Sequence, residues 1–127
     1  MARYWKPSKA RIKHDIQAAI EHSKKVELER NRVIGLDTPQ EYREQVINAA
    51  CLMLQARDSL ELAKSFKPKH GEPWESEGAL RSFKFYKQES DGLYEQYTEA
   101  KSRIIAEWPY DAETVTTHIK AAYSVAI

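Results

Sequence analysis

Tyr42, Val46, Ala49, Met53, Ala56, Leu60 and Ala63 recur every three or four residues, the spacing that lines up side chains along one side of an α-helix. Ile47, Cys51 and Leu54 widen that stripe across its middle. A helix apolar over so broad an arc needs partners on several sides, so it is expected to be the central element of the core. Its start is marked by Thr38-Pro39-Gln40-Glu41, which reads as an N-cap threonine, proline at the first helical position and glutamate at the capping-box position.

Three more stretches show helical spacing. Ser8 stands as a cap just after Pro7, and Ile12, Ile16, Ala19, Ile20 and Ser23 then share one face. That first helix is expected to run on through Glu27-Leu28-Glu29-Arg30 and to end before Gly35. The third spans about 75–107, with Leu80, Phe83, Lys87, Ser90, Tyr94, Tyr97, Lys101, Ile104 and Trp108 in a near-heptad row. Unbroken, it would be about 50 Å long, more than the first two helices can cover. A bend near Ser90-Asp91-Gly92, or a projecting end, is therefore expected. Trp108-Pro109 closes it, Asp111 caps a fourth helix, and Ala112, Val115, Ile119, Ala122, Tyr123 and Ala126 form that helix's stripe.

The fold class that follows is all-α: an up-down bundle of three to four helices with one long third helix. The 127 residues suit a single helical domain over 1–127, with a basic aromatic arm at 1–7 and a connection at 66–74 holding two prolines and a glycine. Four glycines and five prolines are too few for a many-turned β-barrel. The longest purely apolar run, 49–54, is too short to span a bilayer, and the first residues lack the apolar core of a signal peptide. With one cysteine, no internal disulfide can form, and Cys51 reads as a buried small hydrophobe. The expected location is the cytoplasm, with no membrane partner.

Signatures of catalysis are missing. There is no Gly-rich phosphate loop, Cys-x-x-Cys, His-Glu-x-x-His or Gly-x-Ser-x-Gly. No carboxylate precedes His14, His22 or His118 by three or four residues, and His70 meets acids only in the 66–74 connection. The reading is a non-enzyme with no metal, no cofactor and no catalytic residues.

Function is therefore sought on the surface. Phe83 and Phe85 lie two residues apart, about 200° around a helix, so both cannot face one core and Phe85 is expected outside. Phe85, Tyr86 and Tyr94 on the third helix, with Tyr4 and Trp5 on the arm, are the candidate partner-binding residues, because aromatic side chains dominate binding hot spots. Trp74 and Trp108 are read instead as caps on the bundle ends. The expected function is that of an adaptor, regulator, inhibitor or assembly factor that binds a protein partner or itself through helix faces.

Charge supplies the alternative. The net charge is only +1, yet residues 1–14 hold five bases and no acid, while 88–127 hold seven acids against Lys101, Arg103 and Lys120. Either the basic head lies against the acidic half, within one chain or across a dimer, or it is an arm for phosphates. On the second reading Arg3, Lys6, Lys9, Arg11 and Lys13 join Lys67, Lys69, Arg81 and Lys84 in a nucleic-acid-binding set.

Overall fold

The computed structural model describes residues 8–68 and 72–125. They form four helices, α1 (Lys9–Ile34), α2 (Gln40–Ser65), α3 (Glu77–Glu107) and α4 (Ala112–Val125), with no strand among the described residues. The chain is all-α, and its helices pack as a bundle.

Local chemistry sets the helix ends. Ser8 accepts the Arg11 amide at 3.2 Å, and Ser76 and Asp111 accept those of Ala79 and Thr114 at 3.1 and 2.7 Å. Hydrogen bonding from Thr114, its side chain first and then its amide, holds the Asp111 carboxyl below its ordinary value. Gly35 ends α1 with φ at +119°, where an added Cβ would meet Asp37 Oδ1 at 2.7 Å.

The start of α2 departs from the expected box. Helical geometry begins at Gln40 with Pro39 as the cap and no side-chain cap bond. Thr38 instead turns back, its hydroxyl donating to the Gly35 carbonyl at 2.6 Å and its amide to the same oxygen at 3.1 Å. Arg43 then ties the turn together, donating from Nε to Asn31 at 2.8 Å and from Nη1 to the Thr38 carbonyl. The threonine thus builds the α1–α2 corner rather than the helix cap.

The core lies where α2, α3 and α4 meet. Tyr42, Val46, Ala49, Ala50, Ala56 and Ala63 of α2 are buried, as are Ser90, Tyr97 and Ile104 of α3 and Val115, Ile119 and Ala122 of α4. Tyr42, Ala49, Ala56 and Ala63 repeat every seven residues, matched on α3 by Phe83, Ser90, Tyr97 and Ile104. Small side chains on this seam let the helices approach closely, and Ser90 Oγ donates to the buried Ala56 carbonyl at 2.6 Å. No break interrupts α3 at Gly92. Cys51 is half-buried rather than fully enclosed, and its Sγ accepts a bond from Arg30 Nη1 at 3.6 Å.

Helix lengths are unequal. At 1.5 Å per residue α3 is about 46 Å long, α1 and α2 about 39 Å, and α4 only about 21 Å. The fourth helix therefore runs along only part of the α2–α3 pair.

Candidate interaction surfaces

The largest departure from expectation is α1. Every residue from 9 to 25 is exposed, and only Ile34 of this helix is fully buried. Ile12, Ile16 and Ile20 keep 43, 56 and 43% of their surface in water, and Leu28 is exposed as well. The stripe exists as the spacing predicts, but the described body does not cover it. The cause lies on α2, whose facing ridge includes Gln40, Glu44 and Asn48. Opposite them stand Ser23, Glu27 and Asn31 of α1, across a polar cleft of about 470 Å³. Two polar ridges gain little by closing together, so α1 packs through its last turns on α4 and the start of α2 and projects beyond them. Sequence reading missed this because it followed the apolar stripes and not the polar ridge between them.

The aromatic residues of α3 divide between two sides. Phe85 is 63% exposed, as its spacing from the half-buried Phe83 requires. Tyr86 is half-buried and stacks on Phe66, with centroids 5.8 Å apart, and Phe85 meets its edge at 5.2 Å. Tyr94 is exposed too, but nine residues from Phe85 amounts to about 180° around a helix. The candidate partner-binding residues Phe85 and Tyr94 therefore lie on opposite sides of α3. Tyr4 and Trp5 lie outside the described residues.

Tyr94 belongs to a groove of about 540 Å³ where α4 stops short of the α2–α3 pair. Met53 and Leu60 of α2, Tyr94 of α3 and Tyr123 of α4 give it an apolar wall, with Asp91 and Glu95 at its α3 side. Among the described residues the only cation lining it is Arg57, which donates to Tyr123 Oη at 3.0 Å and to Asp58 at 3.1 Å. Beside the groove Tyr97 packs against Tyr94 at 5.7 Å, and burial raises its pKa.

The structure describes two of the three tryptophans, Trp74 and Trp108. Trp108 ends α3, donates from Nε1 to Gln45 at 2.8 Å and meets Tyr42 edge-on at 5.6 Å. Trp74 leans on Phe83 at 5.3 Å.

The basic residues are spread widely. Lys9, Arg11 and Lys13 are exposed on α1, and Arg81 and Lys84 on α3. Lys67 is exposed and its ammonium lies over the Phe83 ring at 5.7 Å. Arg3, Lys6 and Lys69 lie outside the described residues. Since α1 packs on α4 and α2 but not on α3, no helix contact joins the two groups.

A part-buried polar contact among aromatics was not anticipated. Tyr42 Oη lies 2.6 Å from His118 Nδ1, within a cluster completed by Trp108 and Tyr110. Burial and the neighbouring Tyr110 push the Tyr42 pKa up to about 12. The unfolded chain, with an ordinary tyrosine near 10, releases this proton first. Tyr42 thus adds stability that is complete below pH 10 and is lost as pH rises towards 12. The expected loss is on the order of 2 kcal/mol. Urea unfolding at pH 9 and pH 12 measures it, and Tyr42→Phe should flatten that part of the profile.

Among the described residues no group of three His, Cys, Asp or Glu side chains gathers to hold a metal ion. No described helix is long and apolar enough to cross a membrane. Comparison of the chain with family models, with curated proteins and with solved structures finds no match.

Proposed function

We propose that this chain is a non-enzymatic helical interaction protein of the cytoplasm, an up-down bundle that binds a protein partner or itself through its helix faces. Its role is that of an adaptor, regulator, inhibitor or assembly factor. One observation carries the reading: the first seventeen residues of α1 are exposed while presenting Ile12, Ile16 and Ile20 along one face. An isolated helix of that length is marginal in water, and helices draw most of their stability from packing an apolar face. A partner that covers the isoleucines supplies that packing. The exposed Phe85 ring offers a second anchor on the far side of α3.

A photo-crosslinking residue at position 16, and separately at position 85, tests this in the native host. Position 16 is expected to yield a discrete protein adduct, and 85 a weaker one. Adducts at neither position would remove the basis of the reading.

The nucleic-acid alternative draws on the exposed Lys9, Arg11 and Lys13 of α1. Titration of a labelled duplex and a single strand at two salt concentrations separates it. Salt-steep binding lost on changing those three residues to Glu favours it, and no binding at low salt ends it.

A further inference from the structure

We infer that the partner of α1 is a second copy of this chain, the isoleucine face of each copy lying in the Met53–Tyr94–Tyr123 groove of the other. This rests on the interaction reading above and names its occupant.

Two unfilled surfaces of matching chemistry occur in one molecule. The head of α1 is a rod with Ile12, Ile16 and Ile20 in an i, i+4 row, none of them covered by the body. The groove is a trough walled by Met53, Leu60, Tyr94 and Tyr123, left open because α4 is shorter than the helices it packs on. A helix laid there would extend the layer that α4 begins.

The charges agree with that placement. Around α1, Lys9 lies about 20° and Lys13 about 60° from Ile16, both towards Ile20, so Lys9 sits within the apolar row and Lys13 on its border. On α3 the stretch 88–100 carries Glu89, Asp91, Glu95 and Glu99 and no cation, and Asp91 and Glu95 border the groove itself. The basic head and the acidic half, distinct already in the sequence, thus fall on the two surfaces that would meet.

The contact is not made within one chain. Ile34 is held in the core, and the Gly35–Thr38 and Asn31–Arg43 bonds fix the corner where α1 joins α2. With that corner intact, α1 makes no contact with α3. A second molecule satisfies both surfaces at once, because reciprocal exchange repeats the same contact about a twofold axis.

The test uses the purified full chain and sedimentation velocity up to about 100 µM, with a dimer expected in the micromolar range. Ile16→Glu with Ile20→Glu should give a monomer whose cooperative unfolding is unchanged, as both positions are exposed and lie outside the core. Two charge reversals decide the register: Lys9→Glu with Lys13→Glu, and Asp91→Lys with Glu95→Lys. Each should weaken its own self-association roughly tenfold or more, since like charges then face each other. Mixed together, the two variants should pair with each other, because the reversed head then meets the reversed groove and the native head the native groove. A monomeric wild-type chain, or a dimer indifferent to these reversals, or variants that fail to pair on mixing, overturns the inference. A monomer that still yields an adduct from position 16 with another protein would leave the interaction reading standing. A monomer with no adduct at either crosslinking position would remove both.

Discussion

Tyr42→Ala is expected to lower the free energy of unfolding by about 3–5 kcal/mol, measured by urea denaturation at neutral pH. Tyr42 is completely buried at the start of α2. Its ring touches Tyr110 with centroids 4.5 Å apart and meets Trp108 and His118 edge-on, each at 5.6 Å. Three contacts from the α3–α4 corner thus converge on one α2 side chain. Truncation to alanine leaves a cavity the size of a ring and strands the His118 nitrogen that Tyr42 Oη now meets. Tyr42→Phe keeps the ring and loses only the hydroxyl, so its cost should be about 1 kcal/mol. If alanine cost no more than phenylalanine, the packing of α2 against this corner would have to be redrawn.

The contrast between α2 and α1 shows how far the fold could be read from residue order. On α2 the stripe from Tyr42 to Ala63 is the buried face, because a helix apolar over so wide an arc can be accommodated only in the middle of other helices. On α1 the same kind of spacing correctly gives a helix with an apolar face, yet Ile12, Ile16 and Ile20 stay in water. Periodicity reports which residues share a side and is silent about whether another element reaches that side. That depends on the polar ridge Gln40–Glu44–Asn48 and on the corner fixed by Thr38 and Arg43. Both are products of tertiary geometry.

The candidate surfaces divide in the same way. Phe85 could be placed outside from its two-residue separation from Phe83, a purely helical argument that holds in the fold. Phe85 and Tyr94 lie on opposite sides of α3, since nine residues turn a helix through about 180°. The groove beside Tyr94 was not foreseeable from either residue. It arises from the difference in length between α4 and the α2–α3 pair, and from Tyr123 and Arg57 closing its end. His118 gave no motif to follow, since its partner is a tyrosine seventy-six residues away and not a nearby carboxylate.

A pair of identical substitutions gives the sharpest test of this division between covered and uncovered stripes. Ile119→Ala should cost about 2–5 kcal/mol. Ile16→Ala, measured at a concentration where the chain is monomeric, should change stability by no more than about 0.5 kcal/mol. Ile119 is completely buried on α4, the helix that touches α1, α2 and α3 alike. Removing its methyl groups therefore leaves a cavity in the core cluster that Ile119 shares with Ile34, Val46 and Ile104. Ile16 has no described neighbour to lose, and alanine is the better helix former, so propensity offsets the little burial forfeited. Under conditions where two copies associate, the order changes. Ile16→Ala should then weaken association while leaving monomer unfolding untouched, whereas Ile119→Ala should lower stability whether or not the chain is paired. A large loss for Ile16→Ala in the monomer would mean that α1 folds back onto its own body. The isoleucine face would then be part of the core and no longer a docking surface.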